Sequence, residues 1–82
     1  MKTNYYFKFE VQDHTAHEHR TFKQAIRTAK RIKQDTIYLV LYITPNRYKE
    51  PFNEVEITNF NLSPQEVEQL KNDLFNNSKK YF

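Results

Sequence analysis

The sequence contains no glycine, no cysteine and no tryptophan, and only one methionine. Each of the first two absences removes a class of function. Without glycine there is no phosphate-binding P-loop, no dinucleotide fingerprint, no KH-type loop and no glycine-containing RRM signature, because each needs close backbone approach or positive φ. Turns must be made by Asn, Asp and Pro instead. Without cysteine there is neither a disulfide framework nor a thiolate zinc site, which suits a reducing compartment. Long apolar runs are missing too. The longest, residues 37–43, is far too short to span a bilayer, and the opening MKTNYYFKFE has no apolar core of signal-peptide length. The expectation is a cytoplasmic protein with no membrane contact.

Catalytic chemistry has little to work with. Ser63 is placed to cap a helix, Ser78 falls near a helix end, and neither has a recognisable base arrangement. Glu54 and Glu56 share a strand face, where two carboxylates are ordinarily solvated rather than metal-bound. No enzyme, no cofactor and no small-molecule substrate is expected.

What is present fits one domain spanning residues 1–82. A chain of this length buries only about 60% of its unfolded surface, so pairing with a second copy would add useful stability. Lysine and arginine number 13 against 10 acids, for a net charge of +3. That mild excess is clustered: residues 20–33 hold Arg20, Lys23, Arg27, Lys30, Arg31 and Lys33. The stretch 50–73 holds Glu50, Glu54, Glu56, Glu66, Glu68 and Asp73 against Lys71 alone.

Tyr5, Phe7, Phe9 and Val11 alternate with Tyr6, Lys8, Glu10 and Gln12, the period-two pattern of a strand with one face on a core. Residues 12–15 have turn composition, and residues 16–20 are expected to return as a short second strand. Thr21 and Gln24 then form a capping box that opens a helix over 21–34, with Phe22, Ala25, Ile26, Ala29 and Ile32 on one face. Residues 37–44 are apolar or aromatic on both sides, as in a central strand covered on both faces. A last strand is expected over 53–60, with Val55 and Ile57 inward. Ser63, Pro64 and Glu66 give a cap, a first-turn proline and a capping box for a second helix. Its buried stripe is Val67, Leu70, Leu74 and Phe75, and residues 76–78 are expected to fray it.

The pattern predicts an α+β fold: a small three- or four-stranded, mainly antiparallel sheet with two helices packed on one face. The order is ββαββα, or βαββα if residues 16–20 are not a strand, in which case the first and central strands would lie parallel.

The candidate site is the basic helix. Cations three and four residues apart project along one side and can neutralise successive phosphates, releasing counterions without reading sequence. Arg20, Lys23, Arg27, Lys30, Arg31 and Lys33 are the expected nucleic-acid contacts, with Arg47 and Lys49 assisting from the loop 45–52. The plainer account is a solvated surface, or pairing with the acidic segments of the same molecule or of a second copy. A second candidate is the sheet face away from the helices, where Tyr6, Tyr38, Val40 and Tyr42 would form a protein interface, as a homodimer or against another protein. Tyrosines there could also stack on unpaired bases, but Glu10, Glu54 and Glu56 on the same face would repel phosphate. His14, His17 and His19 resemble metal ligands, yet no second ligand cluster accompanies them and no metal is expected. The functional expectation is a small non-enzymatic binding module for nucleic acid, or alternatively for protein.

Overall fold

The alternating segment at the start of the chain forms β1 (Asn4–Gln12) in the computed structural model, which describes residues 4–44 and 51–79. It turns into β2 (Ala16–His19), antiparallel to it with Phe9 opposite His19 and Gln12 opposite Ala16. The turn is closed without glycine. Asp13 Oδ1 accepts from the Thr15 backbone N–H at 2.9 Å, and the Asp13 N–H donates to the Thr15 carbonyl at 3.1 Å. An aspartate side chain thus supplies what a left-handed glycine often supplies in a short hairpin.

The first helix, α1 (Phe22–Arg31), is followed by β3 (Ile37–Thr44), β4 (Pro51–Ile57) and α2 (Pro64–Ser78). The sheet order is β2-β1-β3-β4 with every neighbour antiparallel. This is the ββαββα arrangement; the parallel pairing required by the five-element alternative does not occur. β1 and β3 are the inner strands, and a register shift at Leu41 and Tyr42 separates β4 into two phases. The last strand begins at Pro51, opposite Tyr42, and stops at Ile57, opposite the first residue of β3, Ile37, so it falls short of the expected Phe60.

Both helices lie on one face. Phe9, Val11, Ile37, Leu39, Leu41 and Ile57 from the sheet meet Ala25 and Ala29 of α1 and Val67 and Leu74 of α2 in a single core. The stripe foreseen for α1 is the buried or half-buried one, with Thr28 added to it. Thr28 is accommodated because its hydroxyl shares a 2.8 Å hydrogen bond with His19 Nε2.

The helix ends differ from expectation in two places, each for a physical reason. α1 stops at Arg31, not Gln34. The Gln34 N–H bonds back to the Ala29 carbonyl at 2.8 Å, and Lys33 between them has φ of 59°. That is a Schellman-type end with lysine at the left-handed position where glycine is favoured. Lys33→Gly should raise the unfolding free energy by up to about 1 kcal/mol, the strain relieved being larger than the added chain entropy. Urea denaturation checks it, and a loss of stability would contradict the assignment.

α2 does not fray before Ser78. Ser78 is 1% exposed, donates its hydroxyl to the Leu74 carbonyl at 2.9 Å and accepts from Asn53 Nδ2 at 3.1 Å. A contact across the fold holds the last turn. At the other end the capping box is complete, with Ser63 Oγ accepting from the Glu66 N–H at 3.1 Å and Glu66 Oε1 accepting from the Ser63 N–H at 3.0 Å.

Candidate nucleic-acid interface

α1 is fixed by the burial of its apolar stripe, and this turns its other side outward. Lys23, Arg27, Lys30 and Arg31 are exposed on the helix, Arg20 is exposed just before the Thr21 cap, and Lys33 is exposed just past the end. Lys33 therefore belongs to a turn rather than to the helix face. Arg47 and Lys49, expected to assist, lie outside the described residues.

Among the described residues, contacts of opposite charge join Lys8 to Glu18 at 2.6 Å, His17 to Asp13 at 3.1 Å and Lys71 to Glu68 at 3.4 Å. None involves a cation from residues 20–33. Internal pairing with the acidic strand or second helix, one plain account of the charge segregation, thus has no support among these residues. Helix electrostatics explains only part of the pattern. Lys30 and Arg31 sit in the last turn, where the carbonyl end of the helix favours positive charge. Arg20 and Lys23 sit at the opposite end, where it disfavours it, and the first turn of α1 carries no acid to offset them. In α2 the corresponding turn carries Glu66, whose carboxyl lies below the usual carboxylate range because it accepts from the Ser63 backbone.

The helix-free face of the sheet is built differently from an open tyrosine platform. Register puts Tyr6, Lys8 and Glu10 of β1 beside Tyr42, Val40 and Tyr38 of β3, as expected. Yet Val40 is 1% and Tyr42 6% exposed, while Tyr6 and Tyr38 are half-buried. Neighbouring side chains cover them. The Tyr6 and Tyr42 rings stack with centroids 5.1 Å apart, and Lys8 Nζ lies 5.8 and 5.5 Å from the two centroids while bridging to Glu18. The Tyr42 hydroxyl donates to Glu10, whose carboxylate is itself buried. Glu54 and Glu56 remain exposed on the same face.

Burial, reinforced by the hydrogen bond to Glu10, pushes the Tyr42 phenol above its usual range; the hydrogen bond to Glu18 raises the Lys8 ammonium. In both cases the folded state holds its proton more tightly than the unfolded chain. Their stabilisation is complete below about pH 10 and declines as pH rises through the folded values. Tyr42→Phe should lower stability by about 1–3 kcal/mol at neutral pH, because it leaves a buried carboxylate without its donor. It should also flatten the fall in stability above about pH 10. Urea denaturation across pH checks both, and an unchanged alkaline slope would refute the coupling.

The histidines do not converge. His14 is exposed, while His17 and His19 share the inner face of β2. His17 Nε2 donates to Asp13 in the turn, and His19 turns to Thr28 on α1. Among the described residues no group of three or more His, Cys, Asp or Glu side chains is placed to hold a metal. No described helix is long and apolar enough to cross a membrane.

One feature escaped the sequence pattern. A cleft of about 390 Å³ opens between the start of α1 and the first half of α2, with Arg20 and Lys23 on one wall and Lys71 on the other. Lys71 stood out in the sequence only as the lone cation of an acidic stretch. No protein-family model, no curated protein and no solved structure matches this chain.

Proposed function

We propose that this chain is a small non-enzymatic binding module that contacts nucleic-acid phosphates through the outer side of α1 and its flanks. The observation that carries the reading is the state of the cations at 20–33: exposed, without an acidic partner among the described residues, and in part placed where the helix dipole opposes them. Charge held against its local electrostatics is charge the fold does not need. The spacing of Lys23, Arg27 and Lys30 suits contacts to successive phosphates, which position a partner without specifying sequence.

Two results test the reading. Lys23→Glu places an acid at the positive end of α1 and should raise stability by about 0.3–1 kcal/mol while weakening nucleic-acid binding; a variant that loses stability would contradict the electrostatic account. Amide chemical shifts of the protein titrated with a mixed-sequence oligonucleotide should move from Arg20 through Lys33. Shifts confined to β3, or none, would overturn the proposal.

The second reading is a protein interface on the helix-free sheet face, centred on Tyr6 and Tyr38, which stay half-exposed there while Val40 and Tyr42 are buried by their own neighbours. Sedimentation equilibrium tests it through Tyr38→Ser, one of the two half-buried members, whose loss should dissociate an assembly without unfolding the chain. A wild type that stays monomeric and recovers no partner removes it.

A further inference from the structure

We propose that the cleft between α1 and α2 binds a small amphiphile with an apolar body and one carboxylate. The floor is apolar: Phe9, Phe22, Ile26 and Val67 line it. Phe9 is fully buried beneath it, with its ring 5.7 Å from that of Phe22. A volume of about 390 Å³ falls within the range of small-molecule sites, about 300–1,000 Å³.

The charge around that floor is unbalanced. Arg20, Lys23 and Lys71 line the cleft against Glu68 alone. Lys71 is the cation set furthest in. Its side chain is 25% exposed, and Nζ lies 5.5 Å from the centroid of the Phe9 ring. Its acidic partner is Glu68, at 3.4 Å, whose own side chain is 67% exposed. An ammonium over an apolar floor with so peripheral a counter-ion is suited to an anion delivered by a ligand, since a charge-assisted bond strengthens where water is thinned. A neutral or cationic ligand would leave the imbalance as it stands. A nucleobase fits less well, because the floor offers its polar edges no hydrogen-bond partners and their desolvation would go uncompensated. An alkyl or aromatic carboxylate meets both halves of the site: the body covers Phe22, Ile26 and Leu62, the part-exposed apolar residues of the cleft, and the head displaces Glu68 from Lys71.

The inference does not depend on the nucleic-acid reading, although Arg20 and Lys23 serve both. The test is an NMR titration of the full chain with decanoate, and with decanol as the uncharged counterpart. Decanoate should shift the Ile26, Leu62 and Val67 signals saturably, with a dissociation constant of about 1 mM or tighter. Decanol should bind about tenfold more weakly or worse, and Lys71→Gln should weaken decanoate by a similar factor. Glu68→Gln, which leaves the floor untouched, should tighten it. The proposal is overturned if decanoate produces no saturable shift, if decanol binds equally well, or if Glu68→Gln leaves decanoate affinity unchanged. It is also overturned if a single-stranded oligonucleotide shifts the cleft signals and decanoate does not. An intact decanoate response with no oligonucleotide binding would remove the phosphate reading alone.

Discussion

Phe9→Ala should remove about 3–5 kcal/mol of stability, the range for truncating a buried aromatic residue when the surrounding structure collapses only partly. Phe9 is 1% exposed at the centre of the contact between β1 and the helices, with Phe22 beside it and Lys71 over its ring. A domain of 82 residues has a total stability of about 4–12 kcal/mol at ordinary per-residue values. The variant should therefore lose between about a quarter and all of it, and where the total lies at the low end of its range would be largely unfolded at room temperature. The urea midpoint reads this directly. A loss below about 1 kcal/mol would mean that the core is not organised around this residue.

Alternation makes Tyr5, Phe7, Phe9 and Val11 equivalent, and they do share the inner face of β1. Exposure separates them: Tyr5 is 47% exposed, Phe7 is half-buried, and Phe9 and Val11 are sealed. The cause is tertiary, since β2 pairs only with the second half of β1 and α1 lies against both strands. The local signals were the legible ones. The Thr21 and Ser63 caps, the hairpin and the α1 stripe all follow from residues within a few positions of one another.

What was not legible depends on contacts made at long range or on glycine's absence. The end of α1 is hidden because lysine, not glycine, takes the left-handed position at residue 33. The last turn of α2 looks frayed in the sequence because its support, Asn53, lies in another element. The helix-free face looks open because the bond from Tyr42 to Glu10 joins residues 32 apart. Of the candidate site, the basic run was legible in full. Its lack of acidic partners was not, and neither was the cleft that its first two cations share with Lys71.

Replacing Lys23, Arg27 and Lys30 together by Gln should produce the largest functional effect. If each neutralises one phosphate of a duplex, removing all three lowers the slope of log K against log salt by about 2.7. At about 0.1 M salt the same counterion release corresponds to an affinity loss on the order of 10²-fold. The fold should survive, because these side chains are exposed and glutamine is a good helix former. The loss should be nearly uniform across sequences, since phosphate contacts carry no base information.

The most direct test of the phosphate-binding account is fluorescence anisotropy of labelled mixed-sequence DNA and RNA, single- and double-stranded, titrated with wild type and with this triple variant at about 50 and 200 mM salt. The account predicts wild-type binding that weakens steeply with salt and a clearly shallower slope for the variant. Parallel slopes for the two proteins, or no wild-type binding at the lower salt, would contradict it.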